Sequence, residues 1–257
     1  MPGGDSFGEY GSTDLGGWMV RWYGTVVSTQ DIAATLPCWS AAVARVQTAG
    51  RGQWARGFAS DDGGLYLTAV VPFDGDAALW RGFALAVGWT IVSTFRVQRT
   101  ARLRLRWPND LMVGKKKVGG ILVSQGGLDT LCVGLGLNVR NRPWAGDPAL
   151  EAVTCRLADF APASRLGFED LAANLLAAVR LAHTSFSLHG LGGFYQRLNR
   201  SWDGAREVRV ELATGDPAPE IHGLFRGITP GGDLVIEAPT GERTVVRSHL
   251  VKRLYEC

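Results

Sequence analysis

Cysteine is scarce. The chain has four in 257 residues (Cys38, Cys132, Cys155 and Cys257), scattered, with no C-x-x-C pair. The four histidines, His183, His189, His222 and His249, also lie far apart, so ligand spacing defines no zinc site. A chain of this length buries a full core without disulfides or a structural metal, and reduced thiols in a cytosolic protein are the plain reading. A long apolar run is missing too. The longest candidate, 77–97, is broken by Arg81, Gly82, Gly88 and Arg96, which excludes a membrane span. The opening MPGGDSFGEYGSTDLGG has neither a basic start nor an apolar stretch, so no secretory signal is expected and the cytoplasm is the expected compartment. Net charge is only +3, too small by itself to argue for a nucleic-acid partner.

What is present is an ordinary globular composition, 46% hydrophobic and 20% charged. Residues 1–17 read as a flexible tail. Residues 18–27 are strand-like, and Ser28-Thr29-Gln30-Asp31 then resembles a capping box opening a short alanine-rich helix. Segments 65–71, 103–107, 117–124 and 131–137 read as strands, whereas 77–94 and 169–189 carry helical spacing, with Gly190 closing the second. Composition changes near 203–204. Short alternating runs at 207–212, 221–228, 234–238 and 243–248 follow, separated by turn clusters such as TPGGD and PTGE. The expected organisation is a tail, an α+β domain over 18–203 and a small β-barrel over 204–257.

Three segments carry chemistry. In the first, residues 47–60, Gly50 and Gly52 let backbone amides approach a ligand, and Arg51 and Arg56 bring positive charge to the same loop. The segment matches G-x-G-x-x-A, but turns and a strand follow where a dinucleotide site needs a helix, so that reading fails. As a bare glycine loop, a mobile hairpin explains it as well. The second is 106–123. Pro108 forces a turn that presents Asn109 and Asp110 as ligand-facing groups. Lys117 then enters an apolar strand whose Gly119-Gly120 implies close approach to the backbone. Lys115 and Lys116 read as a solvated turn. The third, Gly134-Leu-Gly-Leu-Asn138, lacks the third glycine of a dinucleotide fingerprint and by itself is a tight strand end.

In order, Ser28-Thr29, Gln-x-x-Gly-Arg-Gly at 47–52, Trp-Pro-Asn-Asp at 107–110, Lys-Val-Gly-Gly-Ile-Leu at 117–122, Gly-x-Gly-x-Asn at 134–138 and then a small barrel resemble the biotin–protein ligase family. The likeness covers about 20–254. It implies a class II synthetase-like mixed sheet flanked by helices, an SH3-like C-terminal barrel, and ATP, biotin and Mg²⁺ as reactants. It also implies the biotin carboxyl carrier domain of acetyl-CoA carboxylase as partner. Carried over by position, Ser28, Thr29, Gln30 and Gln47 line the biotin pocket, and Arg51, Gly52, Gln53 and Arg56 lie on the loop that folds over the ligand. Lys117 meets the biotin carboxylate and the α-phosphate; Gly119, Gly120 and Ile121 back the biotin. Asn138 lies near the adenine, and Asn109 and Asp110 at the reaction centre, where Asp110 orients the incoming lysine and helps it lose a proton.

The chain departs from the family pattern. Gln53 stands where a second arginine is usual, and an amide cancels no phosphate charge. Phe58 stands for a common tryptophan and Ala55 for a common glycine. The tail is too short for the helix-turn-helix domain of regulatory members, so the single-function form is expected, without DNA binding, as monomer or homodimer. A lipoate ligase or octanoyltransferase shares the core fold, but its Arg-Arg-x-Ser-Gly-Gly-Gly or catalytic-cysteine signature is not recognisable. A nucleic-acid binder would use the basic run Arg96, Arg99, Arg102, Arg104 and Arg106, for which a solvated sheet face is the simpler account; the Arg102–Arg106 face, if exposed, is expected to steer acidic carrier domains. An inactive biotin binder is argued against by Lys117.

Overall fold

The computed structural model describes residues 8–73, 76, 79–95, 102–162, 167–202, 206–213 and 219–256. Strands β1 (Glu9–Asp14) and β2 (Met19–Val26) are followed by helix α1 (Thr29–Ala33), strands β3 (Ser40–Gln47) and β4 (Leu65–Pro72), and helix α2 (Phe83–Thr94). Strands β5 (Leu103–Arg106), β6 (Asp110–Val113), β7 (Lys116–Gln125) and β8 (Thr130–Leu137) then lead to helices α3 (Phe168–His189) and α4 (Tyr195–Ser201). The chain ends in β9 (Arg206–Leu212), β10 (Glu220–Ile228), β11 (Leu234–Glu237), β12 (Arg243–Val246) and β13 (Val251–Glu256). Eight strands form a mixed sheet in the order β1-β2-β3-β4-β8-β7-β6-β5, and five form an antiparallel sheet in the order β12-β11-β10-β9-β13. Only β2 and β3 run parallel, because α1 carries the chain across between them.

Alternation along the central strands sorts the two faces of the large sheet. In β4, Leu65, Leu67, Ala69 and Val71 enter the main core under α2 and α3, while Val70 joins a smaller core under α1. In β8, Leu131, Val133, Leu135 and Leu137 take the main core and Cys132 the smaller one. Helix α3 is held by a stripe of Leu171, Leu175, Leu176, Val179 and Phe186. The main core runs unbroken into the C-terminal sheet through Trp107, Trp202, Val208, Phe225 and Val251.

Three expectations change. Part of the 1–17 tail, Glu9–Asp14, is an edge strand paired with β2; almost all of it is exposed, so backbone bonds hold it without the apolar pattern a sequence reading needs. Helix α2 begins at Phe83 after a turn rather than at 77, because Gly82 at its N-cap takes a φ of 83°; residues 77 and 78 lie outside the described set. Ser28 does cap α1, accepting from Gln30 N at 3.3 Å, but Asp31 bonds Arg51 instead of returning a capping-box bond. The proposed boundary at 203–204, and Cys257, lie outside the described residues.

Candidate functional site

A cavity of about 410 Å³ opens on the α1 face of the large sheet. Its floor is bare because glycines recur every second residue. Gly134 and Gly136 in β8 share that face, and Gly120 of β7 pairs directly with Gly136. A Cβ on Gly136 would stand 2.7 Å from the Phe58 ring, and one on Gly120 would stand 3.3 Å from Lys117 Nζ. The Gly-x-Gly spacing is therefore the period of a strand clearing one face. Gly119 points the other way, where a Cβ would meet Gly136 O at 2.5 Å; it serves the packing of β7 on β8 and does not line the cavity.

One end is a wall of fixed amides and hydroxyls. Gln47 Oε1 accepts from Thr29 N at 2.9 Å and Thr29 Oγ1 at 3.1 Å, while its Nε2 donates to Ser60 Oγ at 2.9 Å. Thr29 Oγ1 also meets Thr68 Oγ1 at 2.8 Å. Gln30 is oriented by Ser124 Oγ at 2.9 Å and by the Leu122 carbonyl at 3.3 Å. This network assigns which end of each amide points where, which a polar ring ligand requires.

The other end is cationic. Arg51, Arg56, Arg106, Lys117, Lys252 and Arg253 line the cavity against a single carboxylate, Asp110. Asp110 lies between Lys117 Nζ and Arg106 Nη2, each at 2.6 Å. Burial alone would raise its pKa, but the charges of Lys117 and Arg106 outweigh that and hold the carboxyl below its usual range. It is thus an orienting anion and a poor proton acceptor, which moves the expectation of proton removal toward positioning. Among the described residues no group of three His, Cys, Asp or Glu could hold a metal, and Asp110 is already doubly paired. Mg²⁺ is usually held by substrate phosphates with one or two carboxylates, and the protein's own charge in the cavity is that of its cations.

Ser28, Thr29, Gln30, Gln47, Arg51, Gly52, Gln53, Arg56, Asn109, Asp110, Lys117, Gly120 and Ile121 all line this one cavity. Asn138 does not. It is buried, with its amide bonded to the Cys155 carbonyl at 3.3 Å and its oxygen accepting from Asn141 at 3.2 Å. Asn109 lines the wall, but its amide donates to Ile121 O at 2.5 Å, so it ties the turn to β7. The basic run is not a free face: Arg104 pairs with Glu256 at 2.6 Å and Arg106 with Asp110, leaving Arg102 exposed. Carrier steering by that run loses its basis, and Arg96 and Arg99 lie outside the described residues. Two contributors escaped sequence reading. Leu150, Val153 and Thr154 close one side, docked by Lys117 N on Val153 O at 2.8 Å. Residues 251–255 of β13 close another, and only the β-prone Val251 and Tyr255 hinted at a strand there. Among the described residues no cysteine lines the cavity, and burial pushes the thiols of Cys132 and Cys155 up to about 11, opposite to an acyl-accepting thiolate.

Residues 18–138 match the model of the biotin/lipoate A/B protein ligase family. The biotin–[acetyl-CoA-carboxylase] ligase of Mycobacterium tuberculosis is 30% identical over 213 residues, 80% of this chain and 75% of that protein. The bifunctional ligase/repressor BirA of Escherichia coli is also 30% identical over 213 residues, but this chain spans only 64% of its length. The Salmonella typhimurium relative of the same name is spanned over 61%. A biotin protein ligase from Aquifex aeolicus, solved with biotin and ATP, superposes with a TM-score of 0.73 at 23% identity, over 93% of this chain and 99% of that one, and shares the fold. By fold and by likeness to the mycobacterial ligase, the chain belongs to the biotin protein ligase family.

Proposed function

We propose that the chain joins biotin to ATP as biotinyl-5'-AMP and transfers the biotinyl group to a lysine of a biotin carboxyl carrier domain. The observation that carries this reading is a cavity with a wall of fixed amides and six cations in its lining, two of which, Lys117 and Arg106, clamp its one carboxylate, Asp110. A carboxylate repels a polyphosphate, so the two approach only where fixed positive charge offsets them. Lys117 and Arg106 do this at the Asp110 end, and Arg51 and Arg56 from the loop. The biotin carboxylate oxygen attacks the α-phosphorus, and the bond to pyrophosphate breaks. The amine of the carrier lysine then attacks the acyl carbon, AMP leaves, an amide forms, and the ammonium proton passes to solvent. Asp110, kept ionised, attracts the incoming ammonium, and positioning supplies much of the rate.

In this reading the domain over 18–203 carries the chemistry, and residues 251–255 of the C-terminal domain over 204–257 close the cavity. The reactants place the protein in the cytoplasm, and among the described residues no helix is long and apolar enough to cross a membrane. The test is pyrophosphate release on mixing the protein with biotin and Mg·ATP, with lipoate in parallel. Biotin-dependent release is expected. Release with lipoate alone would assign the lipoate branch, and none with either would overturn the reading.

A further inference from the structure

The cavity loop holds an uncommon backbone. Trp54 and Ala55 take φ of 58° and 54°, two successive side-chain-bearing residues in the left-handed region, which L-residues disfavour. Within the loop, Gly52 N bonds Arg56 O at 2.7 Å and Arg56 N bonds Gln53 O at 3.2 Å, but these span only the turn itself. At its near end Arg51 pairs with Asp31 of α1 at 2.7 Å, and at the strained pair itself one contact reaches the C-terminal sheet. The Trp54 ring is 46% exposed, yet its indole N–H donates to the carbonyl of Val251 at 2.9 Å, on the first residue of β13.

β13 is itself irregular at that point. Its register on β9 slips between Val251 and Arg253, leaving Lys252 as the extra residue of a bulge. A bulge re-aims side chains, and here both neighbouring cations line the cavity. Lys252 is held by Glu211 at 2.6 Å. Arg253 donates to the Tyr255 hydroxyl at 3.3 Å and feels the charge of Glu211, but among the described residues makes no direct ion pair. The loop across from it carries a neutral amide at Gln53, where the family pattern has charge.

Resting on the adenylate-forming reading above, we propose that Trp54 and the start of β13 form a clasp that retains the adenylate. The indole–carbonyl bond holds the loop against the C-terminal sheet, and Arg253 supplies the phosphate-facing charge that position 53 lacks. Trp54 is a positioning residue; it acts through the loop and through Arg253.

The test uses the full chain, loaded with biotin and Mg·ATP and freed of excess reactants. Release of biotinyl-adenylate is followed for wild type, Trp54→Phe, Arg253→Gln and the double variant, beside the adenylation rate and the thermal midpoint. Trp54→Phe keeps the ring and removes the donor, so release should quicken about five-fold, the weight of one net hydrogen bond. Arg253→Gln should quicken it about ten-fold, as loss of a charge-assisted contact does. Because the first residue acts partly through the second, the double variant should fall short of the product. The midpoint and the adenylation rate should stay near wild type in Trp54→Phe. Unchanged release in that variant overturns the clasp, as does a fall in midpoint and adenylation in step with release, or full multiplicativity of the two effects. A wild-type protein that forms no adenylate overturns the functional reading instead, so the two failures are distinct.

Discussion

Lys117 and Asp110 are bound to each other at 2.6 Å, and each has a second anchor. Asp110 retains Arg106, while Lys117 has its backbone amide on Val153 O and its carbonyl on Cys155 N. Replacing Lys117 by alanine therefore leaves the carboxylate paired and the strand docked. The loss should fall on chemistry: adenylation should drop ~10²-fold or more, as when a preorganised charge is removed at a reaction centre. Single-turnover pyrophosphate release checks this. Asp110→Asn acts differently, since Lys117 and Arg106 then face each other without an anion. Wild-type Asp110 has its folded-state pKa lowered, so its contribution to stability is complete above the ordinary carboxylate pKa of ~4 and is lost as pH falls through the folded value. The thermal midpoint of Asp110→Asn should lie below wild type at pH 7, with the gap constant down to about pH 5 and closing in more acid buffer. A gap that widens toward acid would contradict the ion-pair account.

The loop between β3 and β4 shows where local rules ran out. Gly50 was read as a close-approach glycine, and a Cβ there would strike Phe58 O and Ser60 Oγ. Arg51, Gly52, Gln53 and Arg56 all line the cavity. The left-handed Trp54-Ala55 pair was not legible, because neither residue favours that conformation and the Trp54 contact to Val251 is distant in sequence. Likewise β3 went unread: its alanines, Ala41, Ala42 and Ala44, are buried on both faces of the sheet and show no period of two. Asn138 matched a motif by sequence, yet its side chain turns from the cavity toward Cys155 and Asn141. At this scale the expected effect of Gln53→Arg is slower escape of the adenylate. One charge-assisted contact is worth ~1.5–3 kcal/mol, or roughly ten-fold or more in release rate. Dissociation of labelled biotinyl-adenylate, with labelling of a bystander protein, measures it. Equal rates would mean that retention rests on the other cations of the cavity.

At the scale of the whole molecule, two tryptophans bind the sheets together. Trp107, just after β5, donates to Gly232 O at 3.2 Å, and Trp202, after α4, donates to Leu105 O at 2.6 Å while its ring meets Phe225 edge-on at 5.4 Å. Arg104 and Arg206 share Glu256 across the same seam. A core continuous through this seam has no boundary at which one sheet could melt first, so unfolding should be a single cooperative transition despite two sheets. Trp202→Phe tests both parts of that statement. It leaves the buried Leu105 carbonyl without its donor, which costs ~1–3 kcal/mol, and a chain of this size loses about 2–4 °C of midpoint per kcal/mol. The midpoint should fall by that amount with the transition still single, because the remaining core contacts span both sheets. Calorimetry decides. Two resolved transitions in the variant, or a midpoint equal to wild type, would mean that the sheets are stabilised separately and that the tryptophan bond adds little to their union.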